Sequence, residues 1–382
     1  MSLFNITLDQ ARQRRGIKWN KHGHDVIPLW IADPDFSVIS EIKTAITTAM
    51  ENDEFYYSDS FNLREAMAKK VKRINNIDVS AENIYVSQGV LPSFWLACKY
   101  ACTAGDQVVI TDPMYYPFKQ AIIATETAPI YWGLAKHHYT FDVADIAHLI
   151  TERTKLLFLC NPHNPTGRVL TRKELESIGE LAIERDLIVL VDELWEDVVY
   201  DGRRNLSLAS LGPEIADRTM TVFGFSKTYG VAGLQIGYLA ATNQKILDGL
   251  NEIAHGVLRG ASNLSHAAAM IMLSDDVRYY VKALVKHLHE MRALAKKRLT
   301  EVEDVVCNPL EGTYLMFPDV SSYGLSSKEM TDYLLNTAKI AVSEGSLFGS
   351  NGNGHIRINI ATSRSILTEA FNRLQSALAK LC

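Results

Sequence analysis

The sequence predicts an α/β fold in two parts, a three-layer α/β/α domain around a mostly parallel sheet and a smaller α+β domain. In the middle of the chain, short apolar runs alternate with helical patterns, which is typical of a parallel sheet covered by helices. Near the C-terminus, one long charged helical segment precedes short strand patterns and a final helix. The chain has 382 residues, which is long enough for two domains.

Five apolar runs in the middle of the chain are predicted to be strands. Each ends in polar residues, glycine or proline, and the runs are ENIYVSQG, DQVVITDP, TKLLFLCNP, LIVLVDE and TMTVFGFS. The clearest helical pattern between them is TRKELESIGELAIERD, in which Thr171 and Glu174 form a predicted capping box. Continuous apolar strands between helices indicate a sheet that is buried on both faces.

The C-terminal part has a different pattern. A charged helix is predicted over residues 274–300, and it is followed by GTYLMFPDV, HIRINIA and the helical segment ILTEAFNRLQSALAKL. The first 45 residues lack the rhythm of strands and helices. We therefore expect residues 46–280 to form the large domain, and residues 1–45 and 281–382 to form the small one.

Charge and composition exclude several classes of function. The net charge is −5 and no long basic run occurs, which argues against nucleic acid as a partner. No apolar stretch reaches the ~18 residues that span a bilayer, and the N-terminus has no apolar signal core. The five cysteines lack zinc-like pairing, so free thiols, no metal site and a cytoplasmic location are expected.

Ligands of parallel sheets bind at the carboxyl ends of the strands, so the residues there are the candidates for function. Gly89, Val90 and Leu91 open a helix, whose free N–H groups can bind a phosphate. Tyr115 follows the next strand and offers a flat ring, and Asn164 lies in the turn NPHNPTG and offers an amide. Each feature alone also fits an ordinary loop, a packed ring or a plain turn.

Asp192 and Lys227 are the most informative residues at the strand ends. A carboxylate such as Asp192 at the tip of an apolar strand is costly unless it meets a cation, which an arginine could also supply. Lys227 follows Ser226 in the apolar, glycine-rich stretch VFGFSKTYGVAG. A desolvated lysine loses its proton easily and then reacts with aldehydes. Together with the ring and the phosphate site, this combination suits pyridoxal 5′-phosphate (PLP), held by a lysine Schiff base.

The motifs NPHNPTG, VDELWED, SKTYGVAGLQIGY and HIRINIA give the chain a family resemblance. In their order and spacing they resemble the fold-type I PLP enzymes, specifically the class I and II aminotransferases, and the resemblance runs nearly end to end. The N-terminal segments IKWNKHGHDVIPLWIADPDF and ENDEFYYS look most like the branch that contains cystathionine β-lyase and related C–S lyases.

The resemblance implies a role for each candidate residue. Lys227 would be the Schiff-base lysine, Asp192 the partner of the pyridine nitrogen, and Asn164 the donor to the 3-oxygen. A further set would also contact the cofactor: Gly89, Val90, Leu91, Tyr115, Trp195 and Ser226. Arg357 would bind the substrate carboxylate, with Ala32 and Asn164 beside the substrate. Tyr57 would reach the phosphate of the neighbouring subunit, because active sites in this family are shared across a homodimer.

Three positions depart from the common pattern of the family. Gln235 stands where an arginine usually contacts the cofactor phosphate, and Gly224 stands where a hydroxyl residue is common. Trp195 replaces the tyrosine or histidine that follows the aspartate. Its indole N–H donates a hydrogen bond but cannot accept one or ionise. These changes affect the expected reaction rather than the expected cofactor.

Three functions are compatible with these residues. The first is an aminotransferase, which moves an amino group from an α-amino acid to a 2-oxo acid, and the balance of motifs favours it slightly. The second is a C–S β-lyase that releases pyruvate, ammonia and a thiol, which the N-terminal segments favour. The third is a non-catalytic regulator with this fold, although the complete set of Lys227, Asp192, Asn164 and Arg357 argues against it.

Overall fold

The computed structural model describes residues 3–135, 138–258 and 260–381. The strands of the described chain are numbered in chain order. They are β1 Ile27–Pro28, β2 Ile84–Ser87, β3 Gln107–Asp112, β4 Ala128–Gly133, β5 Thr154–Cys160, β6 Ile188–Asp192, β7 Thr219–Gly224, β8 Gly237–Ala240, β9 Leu315–Met316, β10 Ile340–Ala341, β11 Ser343–Glu344 and β12 Ile356–Asn359.

The α-helices are also numbered in chain order. They are α1 Leu8–Arg12, α2 Ile17–Asn20, α3 Ser40–Glu51, α4 Phe61–Lys70, α5 Val90–Ala101, α6 Pro117–Ala124, α7 Ala144–Ala147, α8 Arg172–Glu184, α9 Pro213–Asp217, α10 Ser226–Tyr229, α11 Gln244–Ala254, α12 Asn263–Leu273, α13 Arg278–Thr300, α14 Ser327–Tyr333 and α15 Arg364–Leu378. None of the helices in the described ranges combines the length and the apolar character needed to cross a membrane.

A seven-stranded sheet forms the centre of the molecule, in the order β2-β8-β7-β6-β5-β3-β4. Strand β8 runs antiparallel to both of its neighbours, and the other pairings are parallel. The mostly parallel sheet confirms the predicted fold class. Because β2, β3, β5, β6 and β7 point the same way, the residues that follow them meet at one edge of the sheet.

Both faces of the central sheet are buried. In β5, Leu156 and Phe158 belong to one apolar cluster, whereas Leu157 and Leu159 belong to a second cluster on the other face. The same alternation occurs in β3, where Val109 joins the second cluster. Successive side chains of a strand point to opposite faces, so two separate clusters mean that helices cover the sheet on both sides. This explains the continuous apolar runs.

The five predicted strands and the capped helix are present. The helix is α8, and Thr171 and Glu174 form the expected capping box. Two strands of the central sheet were missed by the sequence analysis, as were the two-residue strands β1, β10 and β11. Strand β4 lies at the sheet edge, where three of its six residues are exposed, and its run APIYWG contains a proline. Strand β8 has only four residues directly after a glycine-rich loop. The charged helix α13 begins at Arg278, after a 3₁₀ turn, rather than at residue 274.

Two small sheets lie outside the central one. Strands β11, β12 and β9 pair antiparallel, and β1 pairs with β10 in parallel. The pairing of β1 with β10 joins the N-terminal segment to the C-terminal part of the chain, which supports the proposed grouping of residues 1–45 with 281–382. The division into two domains itself stays a prediction. Strand β12 carries Arg357, which therefore reaches the site from outside the central sheet.

Candidate active site

Lys227 lies in the first turn of α10, directly after β7. Its Nζ donates a hydrogen bond to the carbonyl oxygen of Ala32 at 2.9 Å and lies 5.7 Å from the centre of the Trp195 ring. Burial lowers the pKa of Lys227 to about 8, although the carboxylates of Asp33 and Asp192 oppose this shift. At pH 7 a pKa of about 8 leaves about one amine in ten neutral. The lysine is thus prepared to act as a nucleophile or a base.

Asp192 ends β6 and is buried close to Lys227. Its Oδ1 accepts a hydrogen bond from the backbone N–H of Leu194 at 3.0 Å. Its Oδ2 lies 3.8 Å from the thiol of Cys160, which is a weak donor. Burial raises the pKa of Asp192 to about 6, so most molecules still carry a carboxylate at pH 7. Oδ2 therefore remains available as the acceptor for a protonated ring nitrogen.

Arg357 is buried, and its guanidinium is held in one orientation from several sides. One terminal nitrogen donates to Asn164 Oδ1 at 3.0 Å, and the other donates to the carbonyl of Trp30 at 3.0 Å and to Ser343 Oγ at 3.3 Å. The guanidinium carbon lies 4.6 Å from the centre of the Phe348 ring. Its Nε is buried without a hydrogen-bond partner in the described chain. An unpaired buried donor of this kind is suited to an incoming carboxylate.

Aromatic side chains enclose the polar groups of the site. Tyr115 is half-buried, and its ring packs edge-on against Phe118, with the centroids 5.3 Å apart. Burial raises the pKa of Tyr115, so its hydroxyl is neutral at pH 7. Trp195 is fully buried, and its ring meets Tyr314 edge-on at 4.6 Å. These rings keep the surroundings of Lys227 apolar, which explains the lowered pKa of its amine.

The predicted phosphate site lies at the start of α5. Gly89 is the residue before the helix and has φ +123°, a conformation that favours glycine. The first N–H groups of the helix, those of Val90 and Leu91 among them, have no partner within the helix and can bind an anion. Ser87 in β2 pairs with Gly237 in β8, which places Gln235, two residues before Gly237, near this loop. Gln235 is exposed and also has a positive φ, +47°.

Four further positions singled out in the sequence are described here by their contacts and exposure. Ala32 contacts Lys227 through its carbonyl oxygen. Ser226 is half-buried at the start of α10, beside Lys227. Tyr57 is fully exposed on the loop after α3, so its proposed role depends on a second copy of the chain. A Cβ atom at Gly224 would come within 2.4 Å of Leu194 Cδ1, so a hydroxyl residue there would require the leucine side chain to shift.

The structure adds residues that the sequence analysis missed. Asp33 opposes the lowering of the pKa of Lys227 more strongly than any other charged group, and Tyr314 lies 3.5 Å from the carbonyl of Ala32. Phe348 supports Arg357, and Cys160 contacts Asp192. These residues come from distant parts of the chain and carry no motif of their own. Asp33, Cys160 and Tyr314 lie within the segments quoted above, but nothing local in those segments marks these residues as part of the site.

Comparison with known proteins identifies the class of this protein. Residues 24–374 match the family model described as aminotransferase class I and II, and the chain therefore belongs to that family. It is 33% identical over 359 residues to an aspartate aminotransferase of Pyrococcus abyssi, which covers 93% of this chain and 92% of that protein. It is 28% identical to the cystathionine β-lyase PatB of Bacillus subtilis, covering 98% and 100%.

A solved structure extends the comparison to the cofactor. Cystalysin from Treponema denticola, whose crystal structure contains PLP, has a TM-score of 0.92 at 26% identity, and the match covers 97% of this chain and 98% of that one. The protein is accordingly a PLP-dependent enzyme, as the sequence predicted. The residues present fit that cofactor, because Asp192 Oδ2 has only a weak thiol donor beside it and Lys227 has a lowered pKa.

Proposed function

We propose that the enzyme is an aminotransferase that moves an amino group between an α-amino acid and a 2-oxo acid. The observation that carries the proposal is the convergence of Lys227, Asp192 and Arg357 in one buried site. In it, a lysine with a pKa of about 8 lies near a carboxylate on one side and an arginine with an unpaired N–H on the other. Membership of the family and the similarity to an aspartate aminotransferase support it further.

Three side chains of the site would hold the cofactor and position it for reaction. Bound PLP supplies an electron sink for a carbanion at the substrate α-carbon. Asp192 Oδ2 would accept a hydrogen bond from the ring nitrogen and keep it protonated. The oxygen of Asn164 already accepts from Arg357, so its Nδ2 is the group left to donate to the 3-oxygen. Tyr115 would cover one face of the ring.

Lys227 would move the proton that both candidate reactions require. Its neutral Nζ removes the proton from the substrate α-carbon as a general base. The carbonyl of Ala32 accepts a hydrogen bond from Nζ, and this contact would orient the amine. The proton held on Nζ could be returned to another atom of the reacting system. Transfer of that proton, rather than its loss to solvent, is what an aminotransferase needs.

Arg357 would bind the substrate α-carboxylate. Its guanidinium is fixed by Asn164 and Trp30, and a planar guanidinium matches a carboxylate with two parallel hydrogen bonds. Burial lowers the pKa of Arg357 to about 10, so it remains charged at pH 7. The same residue contacts Asn164, which ties recognition of the substrate to the proposed contact with the cofactor.

The second candidate is a C–S β-lyase, and the N-terminal segment favours it. Lys18 and Trp19 both donate to the buried Asp35, at 2.9 Å and 2.7 Å. Lys18 also donates to the carbonyl of Asp33, and this network positions the chain beside Ala32 and Lys227. The segment is the one that looks like the C–S lyase branch, and PatB and cystalysin are similar over nearly the whole chain. Both reactions begin with removal of the same proton.

Product analysis separates the two candidates. The holoenzyme is incubated with a panel of amino acids, including aspartate, aromatic amino acids and cystathionine, with and without 2-oxoglutarate. We expect glutamate to form only in the presence of 2-oxoglutarate, and no product with Lys227→Ala. Release of pyruvate and ammonia from cystathionine without a 2-oxo acid, and no glutamate from any amino acid, would make the enzyme a lyase instead.

We also infer that two copies of the chain form a homodimer with shared sites. Tyr57 is fully exposed, and Phe55 and Tyr56 beside it are more than half exposed. These residues line a concavity with a volume of about 1130 Å³, and Tyr85 and Asn263 also line it. Exposed aromatic residues around a concavity are typical of a surface that another chain covers.

The free thiols of the described cysteines are in keeping with the proposed cytoplasmic location.

A mixed dimer tests the shared site. Subunits with Tyr57→Ala and subunits with Lys227→Ala are prepared separately and then mixed under conditions that allow exchange. If the sites are shared, one of the two sites of a hybrid dimer combines the intact Lys227 of one subunit with the intact Tyr57 of the other. Activity should then rise above that of both parents. Activity equal to the average of the two parents would show that Tyr57 does not serve the partner.

A further inference from the structure

The loop that contains Phe348 is held at the end of β3 by hydrogen bonds to one buried carboxylate, that of Asp112. Asp112 is the last residue of β3, and its Oδ2 accepts hydrogen bonds from the backbone N–H of Ser350 at 3.1 Å and from its hydroxyl at 2.5 Å. Its Oδ1 accepts from the backbone N–H of Asn351 at 3.0 Å. Asp112 is 5% exposed, so its carboxylate is largely shielded from water, although Ser350 itself is exposed. Buried charge-assisted hydrogen bonds are the strong kind.

Further contacts hold the same loop in place. The side-chain amide of Asn351 donates to the carbonyls of Asp112 and Leu134, both at 3.1 Å. The backbone N–H of Met114 donates to the carbonyl of Phe348 at 2.7 Å. Gly349 has φ +128°, and a Cβ atom there would overlap with the carboxylate of Asp112. Glycine at position 349 therefore leaves the space that the carboxylate of Asp112 occupies.

The fastened loop connects two parts of the candidate site. On one side, Asp112 precedes the segment that presents Tyr115. On the other side, Phe348 is fully buried and its ring lies 4.6 Å from the guanidinium of Arg357. Arg357 belongs to β12 in the small antiparallel sheet, whereas Asp112 belongs to the central sheet. The position of Phe348 under the guanidinium thus depends on a contact between two separate sheets.

We propose that Asp112 is a positioning residue that holds Phe348, and through it Arg357, in the orientation that binds a substrate carboxylate. The proposal rests on the role of Arg357 in the proposed function. Asp112 does not touch the substrate in this account. It acts by keeping residues 348–351 seated on the end of β3. The consequence is that loss of the carboxylate should weaken the binding of carboxylates without changing the binding of PLP.

Asp112→Asn is the direct test, because the amide group places N–H donors where the N–H groups of Ser350 or Asn351 now donate. The probe is propionate, a carboxylate without an amino group, titrated into the holoenzyme and followed by the visible absorption of the cofactor. We expect its Kd to rise about tenfold, with the Kd for PLP changed less than twofold. The KM for amino acids should rise with the Kd, and kcat should change less than threefold.

Two further variants keep the test decisive. Asp106→Asn changes an exposed aspartate that bonds Thr103, just before the other end of β3, and should leave the Kd for propionate unchanged. If Asp112→Asn does not fold, Ser350→Ala removes one bond to the carboxylate and should raise the Kd about threefold. A lower Tm together with an unchanged Kd would overturn the proposal, because it would show a merely structural role.

A double variant separates this inference from the proposed function. In an Arg357→Ala background, Asp112→Asn should raise the Kd for propionate less than twofold further, since the guanidinium it positions is gone. A full tenfold rise in that background would overturn the inference. If Arg357→Ala itself leaves the binding of propionate unchanged, the assignment of Arg357 fails, and the inference fails with it. If only Asp112→Asn is without effect, the proposed function stands and the inference alone is wrong.

Discussion

Asp192 and Glu193 are consecutive carboxyl groups at the end of β6, and their side chains reach different surroundings. Asp192 faces Lys227 and has an oxygen with only a thiol beside it. Glu193 is enclosed on the other side by amides and a hydroxyl, accepting from Asn205 at 2.9 Å and from Ser207 at 2.6 Å. Burial is the largest cause of a raised pKa in both, to about 6 for Asp192 and to about 8 for Glu193.

The comparison shows that a shifted pKa alone does not mark a catalytic residue. The shift of Glu193 is the larger one, yet the hydrogen-bond partners of its side chain among the described residues are Asn75, Asn205 and Ser207, none of which is a predicted cofactor residue. Nearby, Lys70 and Glu196 form an ion pair that also contacts Asn75, which in turn reaches Glu193. We interpret this second cluster as support for helix α4. What distinguishes Asp192 is that its side chain faces Lys227.

The largest effect is expected at Lys227. Lys227→Ala removes both the attachment point of the cofactor and the general base, so turnover should fall at least ~1000-fold. The measurement is the rate of product formation by the purified variant supplied with PLP. Lys245→Ala, which changes an exposed lysine of α11, is the control and should keep wild-type activity. Residual activity within tenfold of wild type would contradict the assignment.

The next largest effect separates the two carboxylates. Asp192→Asn cannot keep the ring nitrogen protonated, so kcat should fall about 100-fold while PLP stays bound. Glu193→Gln should keep kcat within about threefold, since Glu193 is placed in a structural cluster. The measurement is kcat for both variants at saturating substrate and cofactor. Equal losses in the two variants would remove the distinction drawn here.

Arg357→Lys should act on substrate binding. A buried charged pair that loses a partner costs roughly 2–5 kcal/mol, and lysine restores part of this, so KM should rise about 10- to 100-fold. Because Arg357 is placed at the α-carboxylate, the rise should be similar for every amino acid. Arg364→Lys, at an exposed arginine of α15, is the control. A change in the order of substrate preference would mean that Arg357 binds the side chain instead.

Gln235→Arg should make the protein bind the cofactor more tightly. A charge-assisted hydrogen bond to a phosphate contributes about 1.5 kcal/mol or more, so the Kd for PLP should fall about tenfold. The measurement is equilibrium titration of the apoenzyme with PLP at fixed salt. Weaker binding in the variant would show that another cation, such as one from a second subunit, already lies beside the phosphate near residue 235. The phosphate site would then differ from the one described.

The last effect concerns stability rather than activity or binding. The pKa of Glu193 is raised in the folded state from an ordinary value of 4.5 to about 8. The folded state therefore holds a proton that the unfolded state releases above about pH 4.5, so stability is lost as the pH rises from there to about 8. Glu193→Gln should abolish this dependence and raise the free energy of unfolding at pH 7 by about 1–3 kcal/mol. Urea unfolding at pH 5, 7 and 8.5 measures it, with the exposed Glu180→Gln as control. An unchanged slope would show that Glu193 is ionised in the fold.

The sequence predicted the parts of the site that have local signals. Lys227, Asp192 and Asn164 follow apolar strands directly, and parallel strands bring their ends together whatever the rest of the chain does. Asp112 also ends an apolar strand, but its role could not be predicted, because its partners Ser350 and Asn351 lie more than 230 residues away and contact it only in the folded chain. Tyr57 is a third kind of residue, since its proposed partner belongs to another copy.

The central claim is that the cofactor is attached to Lys227. The most direct measurement is reduction of the yellow holoprotein with borohydride, followed by digestion and mass analysis of the peptides. The account predicts one modified peptide, the one that contains Lys227 in VFGFSKTYGVAG, and no modified peptide from Lys227→Ala. Attachment of PLP to a different lysine, or no attachment in a protein that shows full activity, would contradict it.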